Sequence, residues 1–280
     1  MIKGDVMREQ DAILFIHGAW VTPLCWRYFE PLFAARGFRT LAPAWPYKEK
    51  PIADQLTHPD ARLGRTGIPE IVAHFKRIIC GQARPPVLIG HSFGGLIVQI
   101  LLDQGFAAGG IAINSVPPRG VAPARFLAPN PLRRLRLLFG TPFSWRKALF
   151  PPELDADEAA LAQANGIQVH LVPESGRIFW QLFSAAARVD FRNGQRAPLL
   201  LVAGGKDRCI PAETQRRNRE AYRESKARTD FALFPELTHL SIAEPGREAL
   251  AAYCADWAAA CFAERAAREP EVRALDACAG

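Results

Sequence analysis

Short, nearly continuous apolar runs alternate along the chain with longer stretches in which apolar positions recur every three or four residues. The first pattern reads as a strand covered on both faces, the second as one face of a helix. Ile13-Leu14-Phe15-Ile16 is the first strand, and Trp26, Phe29 and Phe33 predict a helix over Trp26 to Ala35 with Gly37 as its stop. Phe38 to Leu41 is the next strand, followed by a polar, proline-containing loop from Pro43 to Gly67. Ile71, Val72, Phe75, Ile78 and Ile79 mark a helix over Glu70 to Ile79. Pro86-Val87-Leu88-Ile89 is then a strand, Leu96 to Leu102 a helix and Ile111-Ala112-Ile113 a short strand. Pro198 to Ala203 and Asp230 to Pro235 are two further strands, and a closing helix from Arg247 to Ala263 turns Leu250, Tyr253, Cys254, Trp257 and Cys261 inward. Strand–helix alternation of this kind predicts an α/β fold, a doubly wound and mostly parallel sheet of about six strands.

Three of the strands end in residues that can do chemistry. Gly90-His91-Ser92-Phe93-Gly94 lies between a strand and a helix, the layout of a nucleophile elbow, in which flanking glycines let a tight turn lift a serine hydroxyl above the sheet. Asp207 follows the strand ending at Ala203, and carboxyl ends of strands are where open α/β sheets build their sites. His239 lies in the loop after the strand ending at Pro235. A serine hydroxyl becomes a competent nucleophile when a neutral imidazole takes its proton, and a carboxylate then holds the imidazole's tautomer and stabilises the imidazolium. The order Ser92, Asp207, His239 differs from the chymotrypsin and subtilisin orders.

With that order the chain resembles the α/β-hydrolase fold family from about Ile13 to about Ala260, less well between Pro118 and Ala197. His17-Gly18-Ala19-Trp20 after the first strand is similar to the family's oxyanion loop. The resemblance implies an oxyanion hole made by the backbone N–H groups of Ala19 and Phe93, with His17 shaping the loop. It also implies a lid inserted between the strand ending at Ile113 and the strand before Asp207. Residues 1–118 and 197–263 would then form the core, 119–196 a mainly helical lid, and 264–280 a tail poor in core residues. Twelve residues precede Ile13, too few for the two antiparallel strands that begin larger members.

Trp20, Trp45, Phe93, Phe179 and Phe183 are candidate pocket walls, which predicts an apolar substrate of moderate size. The expected function is a serine hydrolase that cleaves a small-to-medium apolar carboxylic ester, lactone or thioester through an acyl-enzyme on Ser92. Two other classes stay open: carbon–carbon bond hydrolysis or lysis on the same triad, and a slow, hydrolase-like sensor of small molecules. Haloalkane dehalogenases and epoxide hydrolases of this fold carry an aspartate where this chain has Ser92. The triad needs no metal and no organic cofactor.

Composition narrows the picture further. At 280 residues with 49% hydrophobic positions, one α/β domain can bury a substantial core. A net charge of +7 raises nucleic-acid binding as an idea, but the arginines are scattered and not interleaved with aromatic stacking residues, so no nucleic-acid partner is expected. The basic stretch from Pro131 to Phe139 reads as a solvated lid face with its leucines inward, or as a contact with an anionic lipid surface or an acidic substrate. The acidic N-terminus is unlike a signal peptide, and no apolar run is long enough to span a bilayer. Six cysteines without metal-ligand spacing predict reduced thiols in a cytoplasmic protein, with Cys209 close to Asp207.

Overall fold

Six strands form one sheet in the order β2-β1-β3-β4-β5-β6, and every pair is parallel. They are β1 (Ala12–Ile16), β2 (Arg39–Leu41), β3 (Val87–His91), β4 (Gly109–Ile113), β5 (Leu199–Gly204) and β6 (Thr229–Phe234). This computed structural model describes residues 11–121, 142, 160–168 and 170–268. Helices α1 (Glu30–Ala34), α2 (Ile52–Thr57), α3 (Ile68–Cys80), α4 (Phe93–Asp103), α5 (Gly176–Gln181), α6 (Ala212–Ala221) and α7 (Arg247–Arg268) accompany the strands. No described helix is long and apolar enough to cross a membrane.

Because side chains alternate across a strand, each apolar run feeds two cores. Leu14, Ile16, Leu88, Ala112, Leu199 and Leu201 face one layer, where they meet the apolar stripes of α3 and α4. Ile13, Phe15, Val87, Ile89, Ile111, Ile113, Leu200 and Val202 face the other, against α1 and α7. Burial on both faces explains why these segments read as unbroken hydrophobic runs. From β1 the chain goes first to β2 on one side and then across to β3 on the other. The strand order therefore reverses between β1 and β3, the place where open parallel sheets leave a crevice at their carboxyl ends.

The structure departs from expectation in several elements. The helix predicted over Trp26 to Ala35 is broken into a 3-10 turn at Pro23–Trp26 and the short α1. Pro31 sits in the first turn of α1, the one part of a helix that tolerates the missing N–H, so the helix starts there rather than running through it. Trp26, Phe29 and Phe33 still converge, with ring centroids 4.8, 6.4 and 5.3 Å from that of Phe15, so their spacing served packing and not one continuous helix. The loop from Pro43 to Gly67 contains α2 and a 3-10 turn at Ala61–Arg65. Tyr253 is exposed and meets Phe234 edge-on, while Leu250, Cys254, Trp257 and Cys261 form the buried face of α7, which continues past Ala263 to Arg268. Cys25, Cys254 and Cys261 are free thiols, but Cys80 is disulfide-bonded, so the expectation of six reduced cysteines fails there. The stretch Pro131 to Phe139 lies outside the described residues.

Candidate active site

Ser92 sits between β3 and α4 with φ 55° and ψ −119°, a region that residues with a side chain rarely adopt. Three hydrogen bonds hold it there. Its N–H donates to the Ile113 carbonyl at the end of β4 (3.0 Å), and its own carbonyl accepts from Gly95 (3.1 Å) and Val116 (3.0 Å). The glycines are required by close approach: a Cβ on Gly90 would lie 2.3 Å from the Gly94 oxygen, and one on Gly94 only 2.0 Å from the Ile16 oxygen. A strained residue persists where its surroundings over-determine it, and this one sits at the sheet's reversal point.

The Ser92 hydroxyl donates to His239 Nε2 across 3.0 Å, and His239 Nδ1–H donates to Asp207 Oδ2 across 2.8 Å. An acceptor-only carboxylate opposite Nδ1 selects the tautomer in which Nε2 is free to accept. The other oxygen, Asp207 Oδ1, accepts the N–H groups of Cys209 (2.8 Å) and Ile210 (2.7 Å), which fixes the carboxylate plane. The side chain of Asp207 is fully buried, and that of His239 is 12% exposed, so water reaches the imidazole far more than the carboxylate. The chain's geometry thus supports proton transfer from serine to histidine with charge stabilisation behind it.

Neighbouring residues hold the histidine loop in place. Asn114, buried at the end of β4, donates from Nδ2 to the Thr238 carbonyl (2.9 Å) and to Ser241 Oγ (3.1 Å), while its Oδ1 accepts the Gly204 N–H (2.7 Å). Glu244 accepts the Thr238 N–H at 2.6 Å. His91 donates from Nε2 to the His239 carbonyl (2.7 Å), with the two rings 4.8 Å apart. The expectation that His91 turns away is therefore corrected: its side chain faces the His239 loop and hydrogen-bonds its backbone.

Burial, together with the proximity of His239, pushes the His91 pKa down to about 3, and burial, with Lys48 nearby, holds that of His17 well below the ordinary value. Both are neutral when folded and take up a proton when unfolded below their normal pKa, so stability is full at neutral pH and falls as the solution becomes acid. His91 alone is expected to make the protein about 2 kcal/mol less stable at pH 5 than at pH 8. Urea unfolding of the wild type and of His91→Gln at both values checks this, the variant showing the smaller loss.

The loop after β1 passes directly over Ser92: a Cβ on Gly18 would lie 3.1 Å from Ser92 Cβ. His17 shapes that loop, accepting the Trp45 N–H at Nε2 (3.1 Å), donating from Nδ1 to the Gly18 carbonyl (2.8 Å) and stacking on the Trp45 ring at 4.8 Å. Among the described residues neither the Ala19 N–H nor the Phe93 N–H has an acceptor. The next amide, that of Trp20, is already committed to Glu174 Oε2 at 3.1 Å.

The aromatic candidates divide. Trp20 stacks on Phe179 (4.6 Å), Phe93 meets both Phe179 (5.8 Å) and Trp45 (5.9 Å) edge-on, and all four rings are buried. Phe183 is 38% exposed. A largely apolar cleft is lined by Val21, Leu24, Tyr28, His91, Leu240 and Ile242; Ser92, Asp207, His239 and the aromatic candidates are not among its lining residues. Sequence reasoning missed Asn114, although it ends a strand just as the acid and histidine follow theirs, and it missed Lys48, Glu174 and Glu244, which carry no local signal. Asp207, Cys209 and His239 place ligand-type atoms within 4.8 Å of one another. Both nitrogens of His239 are engaged by Ser92 and Asp207, so a metal there would compete with the triad.

A model of the alpha/beta hydrolase family matches residues 13–252, the span that contains the elbow, the acid and the histidine. The chain is an alpha/beta hydrolase. No curated protein sequence matches it. Among solved structures, this alpha/beta hydrolase is similar to a monoacylglycerol lipase of Paleococcus ferrophilus, with TM-score 0.67 and 22% identity over 90% of this chain and 95% of that one. It is also similar to a pyrethroid hydrolase from Sphingobium faniae JZ-2 (TM-score 0.63, 21% identity, 89% and 98% covered). A methylesterase from Arabidopsis gives TM-score 0.60 at 17% identity, with 89% and 99% covered.

Proposed function

We propose that this alpha/beta hydrolase is a serine hydrolase that cleaves a small-to-medium apolar carboxylic ester, lactone or thioester through an acyl-enzyme on Ser92. The observation that carries the reading is the unbroken hydrogen-bonded chain from Ser92 through His239 to Asp207. In the first step Ser92 Oγ bonds to the carbonyl carbon, its proton goes to His239 Nε2, and the carbonyl oxygen becomes an anion. The N–H groups of Ala19 and Phe93, which flank the nucleophile and lack other acceptors among the described residues, receive that anion. Collapse breaks the bond to the alcohol or thiol, which leaves with the proton from His239; water repeats the sequence to release the acid.

The acyl or alcohol part would lie against the aromatic group of Trp20, Trp45 and Phe179, with Phe183 as a further wall toward the lid. The names of the structural neighbours, a monoacylglycerol lipase and a methylesterase among them, agree with an ester substrate. The test is a series of p-nitrophenyl esters of rising acyl length, coupled to intact-protein mass spectrometry after rapid acid quench. We expect turnover with a chain-length optimum and a mass increase equal to the acyl group, located on the peptide that contains Ser92. Ester turnover without an acyl adduct on that peptide would overturn the acyl-enzyme on Ser92, whereas no ester turnover by folded protein would move the assignment to carbon–carbon chemistry or, with ligand-dependent melting, to a sensor.

A further inference from the structure

Lys48 and Glu174 are charged side chains almost completely removed from water, 2.7 Å apart and 126 residues apart in sequence. Taking two charges out of solvent is costly, and such a pair is weak grounds for stability. Its arrangement points to another use. Glu174 Oε2, besides meeting Lys48, accepts the Trp20 N–H at 3.1 Å, and Oε1 accepts the Ser175 N–H at 2.9 Å. Two residues earlier, the Val172 N–H donates to the Trp20 carbonyl at 2.7 Å. The Trp20 peptide is thus held on both sides by one short segment of the lid, and its indole stacks on Phe179 of the same segment.

Trp20 needs holding. Its φ is 61°, a left-handed conformation that costs a bulky residue about 1–2 kcal/mol, so the loop does not keep this shape by itself. A shared carboxylate is well suited to the task, because a hydrogen bond from a backbone N–H to an ionised acceptor is stronger than a neutral one. Lys48 supplies the counter-charge from the loop after β2, and lies 5.6 Å from the centre of the Trp45 ring that stacks on His17.

We infer that Glu174, charge-balanced by Lys48, is a positioning residue that locks the Trp20 peptide and thereby aims the adjacent Ala19 N–H at the reacting carbonyl oxygen. The inference rests on the acyl-transfer reading above. It also makes the oxyanion hole depend on the seating of residues 172–176: a lid displaced there releases Trp20 and disorders the donor next to it. Correct aim matters steeply, since loss of one oxyanion donor lowers kcat by about 10²- to 10³-fold.

The test compares two variants without the buried charges. Lys48→Met/Glu174→Gln keeps an oxygen that can accept the Trp20 N–H, and Lys48→Met/Glu174→Leu removes it at similar volume. On an activated ester, kcat of the leucine variant is expected to be about 10- to 100-fold below that of the glutamine variant with KM nearly equal. The affinity for a trifluoromethyl ketone, which Ser92 attacks to give a hemiketal oxyanion, is expected to fall by the same factor. Equal kcat and equal ketone affinity in the two variants would overturn the inference.

Hydrogen exchange of the Trp20 amide in the wild type needs no variant to fold. Strong protection is expected, and exchange as fast as that of an exposed loop amide would overturn the clamp. If Ser92→Ala retains turnover, the acyl-transfer reading fails by itself, whereas the exchange of Trp20 still decides whether the clamp exists.

Discussion

Alanine at position 92 is expected to lower kcat/KM for an activated ester by about 10⁵-fold or more, measured on protein whose fold is verified by circular dichroism. The reason lies in how the three side chains depend on one another. His239 has no proton to accept without the serine hydroxyl 3.0 Å away, and Asp207 would act through His239, orienting it and stabilising its charged form. Their contributions are therefore not additive: Ser92→Ala, His239→Ala and the double variant should fall to nearly the same residual rate. That residue of activity belongs to the oxyanion donors and substrate binding, which leave about 10³- to 10⁴-fold acceleration over water in other triad enzymes. A double variant far slower than either single one would mean that Ser92 and His239 work in separate steps, contrary to the proposed mechanism.

The largest effect on stability is expected at Gly94. A methyl group there would lie 2.0 Å from the Ile16 carbonyl oxygen and 2.7 Å from that of His17, and both atoms are backbone. No rotamer change relieves such a clash; α4 must move away from β1, and these two elements adjoin Ser92 and the His17–Gly18 loop, the proposed nucleophile and oxyanion loop. Gly94→Ala should cost about 3 kcal/mol, which for a domain of this size lowers Tm by about 6–12 °C, with activity lost alongside. Gly81→Ala is the control: φ is −79° and the added carbon meets nothing closer than 3.5 Å, so its Tm should be close to wild type. Thermal melts of both variants decide the matter, and equal Tm values would contradict the packing described for the elbow.

The parts of this molecule that were legible in sequence share one property: each is encoded within a few residues of itself. Ile13–Ile16 and Pro198–Ala203 announce buried strands because both faces of a central parallel strand must be apolar. The elbow announces itself because its glycines are needed within two positions of Ser92. The broken helix near Pro31 was misread because aromatic spacing reports which side chains point at a core, not whether the backbone between them is continuous. His91 was misread because the group it braces, the His239 carbonyl, is 148 residues away. Lys48 and Glu174 illustrate the same limit more sharply, since a buried ion pair looks in sequence like two ordinary surface charges until the fold brings them to 2.7 Å.

The proposed site is distributed over four successive strand ends: Ser92 follows β3, Asn114 follows β4, Asp207 lies beyond β5 and His239 beyond β6. Serine and histidine are 147 residues apart along the chain. On the proposed mechanism, a growing polypeptide releases its serine from the ribosome as an ordinary alcohol, and it stays one until the last strand has docked and delivered the imidazole. Reactivity toward an organophosphonate then acts as a coincidence signal for the whole sheet. Titrating a preparation with such a reagent is then expected to count assembled molecules, because a chain misfolded between β3 and β6 can keep every one of these side chains without bringing them together.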